Sequence, residues 1–163
     1  MVVRILVDTN IIISALFFDK KPLELLEKCI QSKLGQFPVK IEYIIPQYVR
    51  DETHDVIKWK FDENYTDEKR LLLDSIFESA ENVTYEDIQE YIQEAEELIG
   101  SVDKTDVPVI AAVLASRPDY LITGNNHLKK LNKINGTTEV ISPSEFLIEL
   151  EKRITKFELD IYG

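Results

Sequence analysis

The run Val2-Val-Arg-Ile-Leu-Val-Asp8-Thr9-Asn10, continued by Ile11-Ile-Ile-Ser-Ala-Leu-Phe-Phe18, decides the architecture of this chain. Val2 to Val7 is short, mostly β-branched and charged only at Arg4, which is the composition of a parallel strand covered on both faces. It stops at an acid. Thr9 and Asn10 can cap the apolar helix that Ile11 to Phe18 predicts. Asp8 therefore stands at the carboxyl end of a strand, where open α/β sheets place their ligands. Taken alone it fits either of two roles, a helix cap or a chemical group, and the remaining sequence has to choose between them.

Working outward, Pro22 to Lys33 carries Leu23, Leu26 and Ile30 at helical spacing, and Lys40 to Ile45 alternates as a second strand that ends at Pro46. Pro46 opens a helix on which Val49, Glu52 and Val56 share one stripe, so that an acid interrupts an apolar face. Thr66 to Ser79 is expected to be helical, Asn82 to Thr84 a short strand or turn, and Tyr85 to Ile99 a helix with a solvated acidic face. Gly100 should end that helix and Ser101 to Asp106 form a loop, with Asp103 capping the buried helix Val109 to Ala115 and Pro108 in its first turn. Asp119 to Thr123 reads as a further strand, Asn125-Asn126-His127 opens a short helix, and Val140-Ile141 belongs to a last strand. The box Ser142-Pro-Ser-Glu145 then starts the final helix. Strands alternating with helices give an α/β domain with a mainly parallel central sheet and helices on both faces.

Composition narrows the function. The 163 residues suit a single domain over residues 1–163, the lone Cys29 excludes a disulfide framework or a thiolate zinc cluster, and no apolar run approaches a membrane span. A cytoplasmic location without membrane association is the default expectation. A net charge of −11 argues against a general, salt-driven nucleic-acid binder. It leaves room for a nuclease whose acids hold metal while lysines line a local track.

Asp8 and Asn125 lie just beyond strands, Glu52 on a helix that follows a strand, and Asp106 at a helix start. Strand ends and helix starts meet on one edge of a parallel sheet, and carboxylates gathered there repel and lose hydration unless divalent cations join them. Ligands that offer only oxygen select a hard ion such as Mg²⁺ or Mn²⁺, which suits phosphodiester hydrolysis. His127 fits a surface or capping role, and His54 points off the face that Glu52 occupies.

The ordered set Ile5-Leu-Val-Asp8-Thr-Asn10, Pro46-Gln-Tyr-Val-Arg-Asp-Glu52, Asp103-Lys-Thr-Asp106 with Ala111-Ala112, and Leu121-Ile-Thr123-Gly124-Asn125 resembles the PIN domain, over roughly residues 2–131. The resemblance implies a PIN-like three-layer α/β/α fold, completed by a C-terminal strand and helix over 139–155. It also implies a Mg²⁺- or Mn²⁺-dependent endoribonuclease that cuts single-stranded RNA, and in prokaryotic members a role as the toxin of a toxin–antitoxin pair, with an antitoxin protein as partner. On this carry-over Asp8, Glu52 and Asp106 bind metal, Asn125 completes the catalytic set, and Thr9, Asn10 and Thr123 support them or position the scissile phosphate. The chain departs from the family at Asn125, where many members have an aspartate after the Thr-Gly pair.

A competing reading is a PIN-like module with weak catalysis that binds protein or RNA. A haloacid-dehalogenase-like phosphatase is disfavoured because Asn10 stands where its second aspartate belongs, and a flap nuclease because the chain has no segment for a DNA arch. Phe17, Phe18, Tyr48, Trp59 and Phe61 exceed what this sheet needs for cover, which predicts a homodimer through the helices of the first half.

Overall fold

The computed structural model describes residues 2–99 and 103–162, so the expected helix end at Gly100 and the loop residues Ser101 and Val102 lie outside the described residues. Five strands, β1 (Val2–Val7), β2 (Lys40–Ile44), β3 (Tyr120–Ile122), β4 (Lys133–Ile134) and β5 (Thr138–Ile141), form one sheet in the order β2-β1-β3-β5-β4. All neighbours are parallel except β4 against β5. Leu6 of β1 lies across from both Ile44 and Leu121, and Val3, Ile5, Leu6 and Val7 are without solvent exposure. A strand paired on both sides and covered on both faces has no use for alternation, hence the unbroken aliphatic run.

Between β1 and β2 run α1 (Thr9–Phe17) and α2 (Lys20–Lys33). Between β2 and β3 run α3 (Gln47–Val56), α4 (Asp67–Ser79), α5 (Tyr85–Ile88), α6 (Ile92–Ile99) and α7 (Val107–Ser116). Then come α8 (Asn126–Lys129) and, after β5, α9 (Pro143–Tyr162), which returns to pack on α2. From β1 the chain moves outward to β2; from β3 it moves the opposite way, to β5. Right-handed crossovers then put the two helix groups on opposite faces, giving the three-layer α/β/α arrangement. The reversal opens a crevice at the carboxyl ends of β1 and β3, where ligands bind in such sheets.

Several elements differ from the sequence expectation for identifiable reasons. A 3₁₀ turn over Gln89–Tyr91 divides the helix expected from Tyr85 to Ile99. An i, i+3 apolar spacing satisfies the 3.0 and 3.6 periods alike over one turn. The two-residue β4 is too short to show any period. The segment expected as a strand or turn at 82–84 starts pairing one residue earlier: Glu81 N–H donates to Tyr43 O, Ile45 N–H to Glu81 O and Gln47 N–H to Val83 O, each at 2.9 Å. This segment runs along the outer side of β2. The final helix continues well past 155, to Tyr162.

The placement of α3 depends on Arg50. Its Nε donates to Ile45 O at 2.8 Å, Nη1 to Phe77 O at 2.9 Å and Nη2 to Ala80 O at 3.1 Å. The last two acceptors are carbonyls at the end of α4, where a helix runs short of donors; Phe77 O also accepts from Ala80 N–H, at 3.3 Å. One guanidinium thus ties the end of β2, the start of α3 and the end of α4 together. Arg50→Ala should lower the unfolding free energy by about 2–4 kcal/mol, because three half-buried carbonyls lose a charged donor. Arg50→Lys should restore less than half of that, since an ammonium lacks the planar fork. Urea denaturation of the three proteins checks both statements.

Candidate active site

Asp8 follows β1 directly, its N–H held by Ile122 O at 3.1 Å. Its Oδ1 accepts from Thr9 N–H at 2.8 Å, and its Oδ2 accepts from Thr123 Oγ1 at 2.9 Å and from Asn10 Nδ2 at 3.3 Å. The carboxylate therefore caps α1 and also lines the crevice, so capping does not take it out of the cavity. Only 6% of the residue is exposed. Burial pushes its pKa up to about 6; the bonds from Thr123 and Thr9 oppose that rise, and the charges of Glu52 and Asp106 add to it.

Glu52 reaches the same cavity from α3. Its Oε2 accepts from Tyr48 Oη at 3.0 Å, and the same hydroxyl lies 3.3 Å from Thr105 O. Burial, followed by the negative charge of Glu52, pushes the Tyr48 hydroxyl well above its ordinary pKa, so it stays a donor. The sequence reading placed Tyr48 among the surplus aromatics that predict a dimer, not beside Glu52. The available signal was its position four residues before Glu52, on the same helical stripe.

Asp106 precedes α7 but makes no capping bond with its side chain. Asp103 accepts from Thr105 N–H at 3.0 Å and from Thr105 Oγ1 at 2.6 Å, so it caps the 3₁₀ turn Lys104–Asp106 that leads into α7 and not, as expected from sequence, the buried helix itself. Asp106 is thereby left to the crevice, buried, with its pKa raised by desolvation first and then by Asp103. Asn125 Nδ2 donates to Asp106 Oδ1 at 3.2 Å while Asn125 Oδ1 accepts from His127 N–H at 2.9 Å. The amide thus spends its donor end on an acid and its oxygen on the start of α8.

A cavity of about 300 Å³ is lined by Asp8, Thr9, Asn10, Glu52, Asp106 and Asn125, with Ile13, Val56, Thr105 and Val109 beside them. Six of the seven residues singled out from sequence meet there. The seventh, Thr123, has no exposed surface: its hydroxyl donates to Asp8 and accepts from Asn125 N–H at 3.0 Å, so it acts through Asp8. Asn10 Oδ1 accepts from Gly124 N–H at 3.0 Å, which ties the ends of β1 and β3 together. His127 lies on a neighbouring cavity with Asp103 and Asp106, while His54 stands edge-on to Phe77 with ring centroids 5.5 Å apart. A roomier cleft of about 670 Å³ around Ser32, Lys40, Glu42, Glu78 and Glu81 lies by the β2 edge, away from the acids, and there Glu42 and Glu81 are paired with Arg4.

The donor set suits a hard divalent cation. It offers carboxylate, hydroxyl and amide oxygens, and Thr9 Oγ1 is a buried hydroxyl with no hydrogen-bond partner on the cavity wall. Among the described residues no three His, Cys, Asp or Glu side chains are grouped closely enough to enclose an ion unaided. Mg²⁺ does not need such a cage, since one or two carboxylates with water and substrate phosphate oxygens satisfy it. No described helix is long and apolar enough to cross a membrane.

The sequence profile of the family described as PIN domain matches residues 6–118. No curated protein matches the sequence. Among solved structures, a chain in the crystal structure of VapBC2 from Rickettsia felis bound to a DNA fragment from their promoter superposes with a TM-score of 0.57 at 18% identity. That match covers 85% of this chain and 98% of the other. The likeness is one of fold.

The raised pKa of Asp8 fixes the sign of a pH effect. Between its ordinary carboxylate range and about 6 the native state binds more protons at Asp8 than the unfolded chain does, so this group's contribution to stability improves as pH falls through that window. The penalty is complete above pH 6 and absent below about pH 4. In chelator, Asp8→Asn should therefore be more stable than the parent at pH 7, by on the order of 3 kcal/mol, and the gap should close toward pH 4. Urea denaturation at a series of pH values measures it; parallel curves would remove Asp8 as the titrating group.

Proposed function

This chain belongs to the PIN-domain family, and from that premise we propose that it is a Mg²⁺- or Mn²⁺-dependent endoribonuclease that cleaves single-stranded RNA and serves as the toxin of a toxin–antitoxin pair. The observation that carries this reading is the convergence of Asp8, Glu52 and Asp106, from three separate elements, on one oxygen-rich cavity beside an unpartnered Thr9 hydroxyl.

In this reading the three acids hold the ion. Bound there, the ion supplies Lewis-acid chemistry, lowering the pKa of water and offsetting charge on the phosphodiester. The chain's own residues prepare the place. Thr123 and Asn10 fix the Asp8 carboxylate, Tyr48 fixes Glu52, and Asn125 fixes Asp106. In this reading Thr9 and Asn10, which line the cavity, support the acids or position the scissile phosphate. Fixed acids cost little reorganisation during the reaction, which is where such sites gain their rate.

The toxin role and a protein antitoxin belong to the same proposal, suggested by the family and by the fold shared with a VapBC2 chain; a homodimer, expected from the surplus of aromatics, and a cytoplasmic location, expected from composition, go with it. The alternative, a PIN-like binding module with weak catalysis, draws on Asn125, which brings a neutral amide where a fourth charge would strengthen metal binding. Incubating single-stranded RNA with the protein in Mg²⁺, Mn²⁺ or chelator separates the two readings, because only the enzyme gives metal-dependent cleavage.

Asp8→Asn, Glu52→Gln and Asp106→Asn should each reduce that cleavage at least about tenfold, with folding retained. Asp103→Asn is the control with a much smaller effect, since Asp103 serves a cap. Wild-type rates in all three variants under saturating Mn²⁺ would sink the site assignment.

Asn125→Asp has a two-sided expectation. It replaces a donor to Asp106 with a like charge, so the variant should melt earlier than the parent in chelator, and it should gain about tenfold in Mn²⁺ affinity. Thermal melts and calorimetric Mn²⁺ titration without RNA read both effects.

A further inference from the structure

Val56 lines the acid cavity and also a second hollow of about 500 Å³ formed with Asp55, Trp59 and Lys60. The two hollows therefore adjoin at Val56, a groove wall with the acids on one side and Trp59 on the other. There α3 gives way to a π-helical turn over Ile57–Phe61, a form that is rare and recurs at functional sites. Ile57 anchors the turn in the core, and Phe61 stacks on Phe17 with centroids 4.4 Å apart. Trp59 does neither. It is 87% exposed, has no aromatic partner among the described residues, and has an exposed lysine on each side, Lys58 and Lys60. A third lysine, Lys69, lies over the Phe17 ring at 4.6 Å, on the side of the turn where Phe61 stacks, and Asp62 and Glu63 follow the turn.

What singles out this indole is its place in a hollow shared with Lys60 and walled by Val56. In a chain of net charge −11 the lysines around it oppose the general field, and Asp55 is the acid that shares the hollow. Exposed aromatic rings set between cations are how proteins hold single-stranded nucleic acid without reading its sequence. The reach also fits: Trp59 is seven residues beyond Glu52, about 10 Å along a helix axis. That corresponds to roughly three stacked bases.

We propose that Trp59, between Lys58 and Lys60 at the end of this groove, stacks on a base of single-stranded RNA whose backbone runs to the acid cavity, and so positions the substrate. The inference rests on the ribonuclease reading for the identity of the chain it binds. The Val56 wall shared with the acid cavity favours RNA over the dimer contact that the surplus of aromatics predicts from sequence.

Trp59 is the only tryptophan in the sequence, so its fluorescence reports on this place alone. A 12-nucleotide single-stranded oligouridine added in chelator, where nothing is cut, should quench the emission saturably, and a duplex of equal length should not. Affinity for the labelled oligomer should fall about tenfold in Trp59→Ala and stay within threefold in Trp59→Phe. With metal restored, Trp59→Ala should raise KM for the 12-mer about tenfold with kcat within twofold, and leave cleavage of a dinucleotide, too short to reach the ring, unchanged. Unaltered emission while RNA binds overturns the proposal, as does equal RNA affinity in Trp59→Ala. A change confined to self-association in that variant also overturns it and makes the patch a protein interface. Quenching by RNA without any metal-dependent cleavage would retain the groove and discard the ribonuclease reading, so the two fail separately.

Discussion

A desolvated carboxylate at the end of the central strand is the constraint on which this structure turns. Asp8 sits where β1 stops, with its charge kept among Thr9, Asn10 and Thr123 in surroundings that favour the neutral acid. Every element around it contributes to holding that unfavourable charge in place. β3 brings Thr123, the start of α1 brings a backbone N–H and an amide, and α3 and α7 bring two further acids that make matters worse. Such a cluster is relieved by protonation, toward which burial pushes Asp8 and Asp106, or by a cation placed beside it.

The route by which the acids arrive explains why the sequence was so informative about them. Asp8 was legible because a buried parallel strand is an unbroken aliphatic run, and its end is marked by the first polar residue. Glu52 was legible as an acid on an apolar stripe, and Asp106 because Asp103 already accounted for the cap that either could have supplied. The sheet order, in contrast, is set by contacts between distant segments, and β4, with two residues, carries no pattern. The 3₁₀ break after Ile88 was hidden because one turn does not separate two helical periods. Tyr48 and Arg50 were missed as supports for a more general reason: their partners are carbonyls and an acid, and a sequence does not say which carbonyls a helix end leaves free.

The supports also divide the molecule into parts with different jobs. Fully buried aliphatic positions on β1, β2 and α7 provide stability, while the polar bonds at the strand ends hold the acids where aliphatic packing alone would not. Asn125 belongs to the second group. By donating to Asp106 and capping α8 with the same amide, it couples the orientation of an acid to the folding of a short surface helix. The π-helical turn after α3 does something similar on the far side, where Ile57 is buried and Trp59 turned outward.

The segment Glu81–Val83 lying along β2 has a consequence for how other molecules meet this protein. It occupies backbone donors and acceptors of the last long strand on that side, and the opposite edge is β4, two residues long. An incoming polypeptide thus finds the end of β2 already occupied and only a two-residue strand on the other side, which narrows recognition by adding a strand. Partners then engage mainly through side chains on the helical faces. Who binds is then decided mostly by the partner's residues, since an extended backbone, common to every protein, has little to attach to.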